Sequence, residues 1–491
     1  MPLNDSTERQ QRIKKAKGLI DSQIDPYPSC VERTYSIKET LEKFSALMKT
    51  KEEIDLVGRI ISLRQHGGST FLDFQDASQK IQAWVSKKSL GPKAYQSFLD
   101  YFDVGDFIGI RGVLFETKTG EKTIEGRNIK ILTKSFRPLP GKWYGLNDVE
   151  IRYRKRYLDL LLNTKVHEIF ETRSKIVREI RNFLDSHDFL EVETPILQTQ
   201  YGGAKARPFK THLSALDMDL YLRISPELYL KELLIGGFEK IYEIGRNFRN
   251  EGIDRSHNPE FTTLEFYWAY ADYKEAMKLT EKMFSHVVKK ISGNLVINYN
   301  EKEIDFTPPW PRIEFSQLLK KYADLDLEEI NIEKLKEKAK ALDVAFPTGA
   351  DKPEIADQIY KKYCRPKIWQ PTFIIHHPKG SFPLAKESKK IEGKTDNFQL
   401  VVANWELINA FSEENNPLAQ REIFEKQEKN FQQGLEEAQR MNEDFLAALE
   451  QGMPPAAGLG LGIDRLVALL TNSHSLREVI FFPTMKRLND K

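Results

Sequence analysis

From Ile54 to Leu132 the sequence runs in short alternating or β-rich segments, IDLVGRIISLRQ, TFLDFQD, KIQAWV, DFIGIRGVLFET and KTIEGRNIKIL. Gly-Gly, Asp-Ala-Ser and Lys-Thr-Gly turns separate them, so each segment reads as one strand. Five strands in about 80 residues, interrupted by a helix near 88–102, predict a small barrel of OB type over 54–136. The remainder of a 491-residue chain is too long to share that core, and two to four domains are expected. Ahead of the barrel, Ile13, Ala16, Leu19 and Ile20 recur at helical spacing among Lys and Arg, and 1–53 reads as a helical N-terminal extension.

Pro138, Pro140 and Gly141 mark a linker over 137–152. Lys and Arg total 74 against 72 Asp and Glu, so overall charge identifies no partner. Locally, Lys130, Lys134, Arg137, Lys142, Arg152, Arg154, Lys155 and Arg156 face only Asp148 and Glu150. That excess suits either a solvated hinge or a polyanion passing between two domains.

Beyond Tyr153 the period becomes helical through Ile169, Ile176, Ile180, Phe183 and Leu184. EVETPIL then begins a strand, with Pro195 placed where no ladder donor is available. Strands are expected at 219–224, 239–248 and 261–270, with Ser225 as N-cap and Pro226 as first residue of an intervening helix. Without regular strand–helix alternation, 153–491 is expected to be an α+β domain on a largely antiparallel sheet. Lys/Glu-rich 312–368 reads as a helical insertion. Cys30 and Cys364 belong to no CxxC or Cys/His cluster, which excludes a zinc ribbon or disulfide framework and suits a reducing compartment. With no signal-peptide core and no long apolar run, a cytoplasmic protein without a membrane span is expected.

The segment EIGRNFRNEGIDRSHNPEFTTLEFY (243–267) sets Arg249 and Glu251 at the end of a β-rich run, then a polar loop, then His257 and Phe261. An arginine at a strand end offers a planar, permanent cation to phosphate or carboxylate oxygens. FRNEG with HNPEFTTLE resembles motif 2 of the class II aminoacyl-tRNA synthetases. EIRNFLDSHDFLEVETPIL (179–197) resembles their motif 1, which builds a dimer interface, and GLGLGIDRLVALL (458–470) resembles motif 3. A barrel ahead of the catalytic domain is the arrangement of the aspartate, asparagine and lysine subgroup. The segments YGGAKARPF, SPELYLKELL and MPPAAGLGLGIDRL look like the lysine members, and the resemblance extends over about 54–485.

The resemblance implies a homodimeric ligase that activates lysine with ATP and Mg2+ and transfers it to a tRNA bearing a lysine anticodon. Lysine carries two ammonium groups and one carboxylate, so its pocket needs anionic groups at two places and a cation at one. Glu227, Glu265 and Glu413 are available. By resemblance, Glu227 and the backbone of Gly203 hold the α-ammonium, and Arg249 and Asn409 hold the carboxylate. Tyr267 and Glu413 receive the side-chain ammonium, with Glu265 adjacent, Phe411 against the stem and Gly460 also in the pocket. Arg249 and Arg465 are the implied catalytic pair, at the α- and γ-phosphates. Glu251, His257 and Asn258 are implied nucleotide contacts, with Phe261 stacked on adenine. Glu406 is the implied magnesium ligand, and Gln399 stands where the family usually has a second glutamate. Phe382 replaces a common serine. In the barrel, Arg64, Phe71 and Gln82 match anticodon readers, and Asn128 aligns with a usual glutamate. The alternatives are an aspartate- or asparagine-type enzyme, a paralogue that attaches lysine to a protein, which typically lacks such a barrel, and a non-catalytic RNA-binding relative. The last predicts a broken motif 2 or 3, yet Arg249, Glu251, His257 and Arg465 are intact.

Overall fold

The computed structural model describes residues 7–139, 148–347, 349–432 and 439–487. The chain divides into two compact units, Met1–Gly145 and Leu146–Lys491. The division falls within the expected linker, whose residues 140–147, including Pro140, Gly141 and Lys142, lie outside the described ones.

In the first unit, β1 (Ile54–His66), β2 (Ser69–Gln75), β3 (Lys80–Ser86), β4 (Phe107–Glu116) and β5 (Lys122–Thr133) close into a barrel of order β1-β2-β3-β5-β4. Alternation does the work: Leu72, Phe74, Ile81, Ala83 and Val85 are buried, while Phe71, Gln82 and Trp84 lie on the other side of their strands. The helix Pro92–Tyr101 adds Tyr95 and Phe98 to that core. Leu19 of the helix Thr7–Asp21, with Ile37, Phe44 and Leu47, enters the same cluster. Residues 7–53 therefore belong with the barrel rather than standing apart.

The second unit holds β6 (Leu190–Glu191), β7 (Leu197–Gln198), β8 (Phe209–Leu213), β9 (Met218–Leu222), β10 (Lys240–Phe248), β11 (Glu260–Ala269), β12 (Val296–Tyr299) and β13 (Lys302–Asp305). β14 (Arg312–Glu314), β15 (Thr372–Ile375), β16 (Asn397–Val402), β17 (Trp405–Ser412) and β18 (Ala456–Gly462) complete it. Eight of these form one sheet in the order β14-β15-β16-β17-β18-β11-β10-β6. Its interior pairs are antiparallel, and only the two edge pairs are parallel. The helices Thr164–Asp185, Tyr273–Ser292 and Ile463–Leu470 bury Ile176, Ile180, Met283, Val287, Leu466 and Val467 against the sheet in one core. The α+β expectation holds.

Four local expectations need correction. EVETPIL is not one strand: β6 and β7 are two residues each, because Pro195 lacks an N–H and Thr194 turns to the Glu243 carboxylate (Oγ1 to Oε2, 2.7 Å). The 219–224 strand belongs to a separate sheet of order β7-β9-β8. The helix expected from Pro226 starts at Glu227, whose N–H donates to the Ser225 hydroxyl at 3.2 Å. Finally, Arg312–Glu314 of the 312–368 segment is an edge strand of the main sheet. The helices Phe315–Ala323, Ile332–Ala341 and Lys352–Ile359 that follow have a core of their own around Leu319, Leu335 and Ile355.

Candidate active site

β11 carries Phe261, Thr263, Glu265 and Tyr267 at a spacing of two, so all four face one side of the sheet and line a cavity of about 520 Å³. The neighbouring strand β18 presents Gly458, Gly460 and Gly462 to the same cavity, with Tyr267 paired to Gly458 and Glu265 to Gly460. β17 follows, with Asn409 opposite Gly460 and Phe411 opposite Gly458, and Gln399 of β16 pairs with Asn409. Three glycines thus make a trough with side chains only on its two banks. A Cβ on Gly458 would stand 1.9 Å from Glu413 Oε1 and 2.6 Å from Tyr267 Cε1, so only glycine fits there.

Charge is unevenly placed along the trough. At the inner end Glu227, Glu265 and Glu413 are all buried, at 6%, 8% and 1% exposure. The Glu265 carboxylate accepts from Ser225 Oγ at 3.0 Å and from Tyr267 Oη at 3.3 Å. Its pKa is pushed up to about 8, first by burial and then by the charge of Glu227. Burial likewise raises Glu413 and Tyr267. Gly203 adopts φ +87° above this end, and a Cβ there would meet Glu227 Cβ at 2.9 Å.

At the outer end the groups are cationic. Arg249 follows β10, its N–H bonded to Pro259 O at 2.8 Å across the base of the motif-2 loop, and its guanidinium lies over the Phe261 ring. Arg465, on the first turn of the helix Ile463–Leu470, donates to Glu406 O at 2.8 Å and approaches His257 Nε2 at 3.4 Å. Burial lowers both guanidinium pKa values, which still leaves them cationic. Glu251 lines the cavity, and His257 is paired with Asp254 at 2.9 Å. The Asn258 amide holds backbone, donating to Glu260 O and accepting from Thr484 N, so it anchors the loop.

The sequence reading left several site residues unassigned. Lys231, completely buried, places Nζ 2.7 Å from Glu227 Oε1 and 2.5 Å from Glu413 Oε2. Its spacing of four from Glu227 on one helix could have flagged it. Asp464 receives Arg173 Nη1 at 2.5 Å and the Thr262 N–H at 2.9 Å, tying the helix of Arg465 to β11. The insertion also lines the cavity through Glu354, Asp357, Gln358 and Lys361, which its composition did not suggest. Phe382 now has a role: its ring stacks on Phe411 at 6.1 Å and closes the apolar bank.

Gln399 Oε1 and Glu406 both line the cavity, and the amide oxygen is buried without a partner. Glu406 stands 3.6 Å from Arg365. Among the described residues no cluster of three or more His, Cys, Asp or Glu could hold a metal ion by itself.

On the barrel, Phe71 pairs with Arg64 and Trp84, and Trp84 with Glu125, so these residues form one row on the outside. Phe71 is therefore not core. Gln82 is opposite Asp73, which holds Arg64 at 3.0 Å. Asn128 pairs with Arg111 instead, and the carboxylate on β5 nearest the aromatic row is Glu125.

Residues 148–486 match the family described as tRNA synthetases class II (D, K and N), and 54–132 match an OB-fold nucleic acid binding domain. The lysine–tRNA ligase of Pelotomaculum thermopropionicum is 49% identical over 97% of this chain and 94% of its own length. Those of Carboxydothermus hydrogenoformans and Moorella thermoacetica are 48% and 46% identical, each over 97% of both chains. The chain belongs to the lysine–tRNA ligase family. Like other class II synthetases of this family it is an enzyme with a catalytic domain and an OB-fold domain in one chain. Among the described residues no helix of this ligase is long and apolar enough to cross a membrane.

Proposed function

We propose that this ligase binds lysine with its side chain at the inner, acidic end of the trough and ATP at the outer, cationic end. The observation that supports this reading most is the charge gradient itself: Glu227 and Glu265 at one end of the cavity, with Glu413 buried behind Gly458, and Arg249 and Arg465 at the other. Glu227 and the Gly203 backbone take the α-ammonium, and Tyr267 and Glu413 the side-chain ammonium, with Glu265 beside them. Phe411 and Phe382 flank the aliphatic stem, Gly460 leaves it room, and Arg249 with Asn409 fixes the carboxylate. A negatively charged side chain, as in an aspartate enzyme, would meet three buried carboxylates and is disfavoured.

The lysine carboxylate is already ionised near neutrality and needs no base. One of its oxygens attacks the α-phosphorus of ATP, the bond to the bridging oxygen breaks, and pyrophosphate leaves with that electron pair. Two anions must meet in line, so positioning and charge supply the acceleration. Arg249 contacts both the carboxylate and the α-phosphate, Arg465 holds the γ-phosphate, Glu251 and His257 contact the nucleotide, and Phe261 stacks on adenine. The terminal ribose hydroxyl of the tRNA then attacks the lysyl carbonyl carbon, and AMP leaves.

Glu406 and the orphan amide oxygen of Gln399 fit Mg2+ only as a partial ligand set, one charged oxygen and one neutral, with nucleotide phosphates completing it. When bound, Mg2+ would neutralise phosphate charge.

Phe71 and Trp84 offer unpaired anticodon bases a stacking surface, and Arg64, Gln82 and Glu125 hydrogen-bond base edges or phosphate. Exposed Leu190, Ile196 and Leu197, around the motif-1 segment, suit a homodimer contact. A cytoplasmic location suits this reaction. ATP-dependent attachment of labelled lysine to a tRNA bearing a lysine anticodon tests the whole sequence; no acid-precipitable lysine at saturating ATP would overturn it.

A further inference from the structure

Arg465 has a long side chain, and the helix Ile463–Leu470 fixes only its backbone. Two contacts hold its far end. Nη1 donates to Glu406 O at 2.8 Å, and Nη2 approaches His257 Nε2 at 3.4 Å. A guanidinium only donates, so the second contact requires a bare lone pair on Nε2. The imidazole proton is then on Nδ1, and that atom faces the two oxygens of Asp254 at 3.0 and 2.9 Å. Polarity along the row is therefore fixed: Arg465 donates to His257, and His257 donates to Asp254.

Asp254 is itself set in place. Its Oδ1 accepts from the Ser256 N–H at 2.6 Å and the Ser256 hydroxyl at 2.9 Å, and its own N–H donates to His257 O at 3.3 Å, which closes residues 254–257 into one turn. Arg255 pins that turn from outside: its carbonyl accepts from the Leu476 N–H at 2.9 Å, and its Nη2 donates to His474 O at 3.1 Å. Ser256, His257 and Arg465 line the cavity. Taken alone, a half-exposed Asp–His pair stabilises a fold little, so the effect of this one is on orientation.

We infer that Asp254 is a positioning residue for ATP: by fixing the Nδ1–H tautomer of His257 it turns Nε2 to Arg465 and holds that guanidinium ready for the γ-phosphate. This rests on the reading of Arg465 as the γ-phosphate cation. Asp254 is outside the cavity wall and acts through two side chains. Without its carboxylate the imidazole proton is free to sit on Nε2, where it faces the N–H groups of Arg465. The guanidinium then loses one of its two holds and has to be ordered as ATP arrives, which weakens binding. A ligand that lacks the outer phosphates does not use Arg465 and is insensitive to the change.

The test compares two ligands of the full-length enzyme by equilibrium titration: ATP with Mg2+, and a non-hydrolysable lysyl-adenylate analogue, which has no β- or γ-phosphate. Asp254→Asn is the informative variant. It is isosteric and its amide oxygen can still take the Ser256 N–H, but its NH2 then faces Nδ1 and drives the imidazole proton to Nε2. ATP binding should weaken by about five- to tenfold, with analogue affinity within about twofold of the unaltered enzyme, which also shows that the variant is folded. In an Arg465→Ala background the same substitution should change ATP affinity by less than about twofold, because the residue through which it acts is gone. Unchanged ATP affinity in Asp254→Asn, an equal loss for ATP and the analogue, or a loss of the same size with and without Arg465 would overturn the inference. An Arg465→Ala enzyme that binds ATP and the analogue equally less tightly would overturn the placing of Arg465 at the γ-phosphate instead.

Discussion

The guanidinium of Arg249 stands over the ring of Phe261, 5.1 Å from its centroid, and its Nε is buried without a partner. A cation fixed against a ring is held in place for oxygens that arrive later, and no carboxylate pairs with it at ion-pair distance among the described residues. Arg249→Ala should lower lysine-dependent ATP–pyrophosphate exchange by about 10² to 10³-fold in kcat/KM. Arg249→Lys should not restore it, because a point charge cannot span two anions as a planar fork does. Exchange within tenfold of the unaltered enzyme would refute the assigned role.

Glu265 ties stability to pH. Its pKa of about 8 in the folded enzyme lies above its ordinary 4.5, so between these values the lysine-free fold holds a proton that the unfolded chain has released. The cost of burying its charge is absent below 4.5 and complete above about 8, and the midpoint of thermal unfolding should fall through that window. Glu265→Gln should have a flatter profile over the same range. Parallel profiles for the two proteins would contradict the assignment.

Gly458 is the tightest point of the glycine trough. Gly458→Ala drives a methyl into Glu413 and Tyr267 and should raise KM for lysine by about tenfold or more, with KM for ATP within about twofold, since overpacking costs about 1–3 kcal/mol. At Gly460 the nearest atoms to a Cβ are 3.8 Å away, so Gly460→Ala should fold normally. Steady-state exchange kinetics on both variants check the contrast.

Phe71 is on the outside of the barrel beside Trp84, so removing its ring leaves the core intact. Phe71→Ala should raise KM for tRNA by about 10 to 100-fold, the value of one stacked base, while leaving exchange unchanged. Equal loss in both assays would point to a folding defect.

Much of this architecture was readable because periodicity reports local geometry. The alternation of Leu72 and Phe74 or Ile81 and Ala83 announces a strand with one buried face, and Ile176 and Ile180 announce a helix. What periodicity lacks is pairing. The short, broken β6 and β7 depend on Thr194 meeting Glu243 from β10, and Arg312–Glu314 becomes a strand only because β15 lies beside it. The same limit applies to the site. Motif residues such as Glu265 and Arg249 could be named from their segment, but the clamp of Lys231 onto Glu413 joins residues 182 positions apart. Two of the three glutamates counted as available to a ligand, Glu227 and Glu413, therefore already share a cation. Register is equally hidden: the bulge between Arg111 and Gly112 shifts the pairing of β5, and Glu125 is the residue set opposite Trp84.

The account depends on an acidic pocket that admits one kind of amino acid to the nucleotide. Pyrophosphate exchange with each of the twenty amino acids in turn measures this directly. Lysine alone should support exchange well above background. Exchange with aspartate or asparagine, or equal exchange with several neutral amino acids, would contradict it.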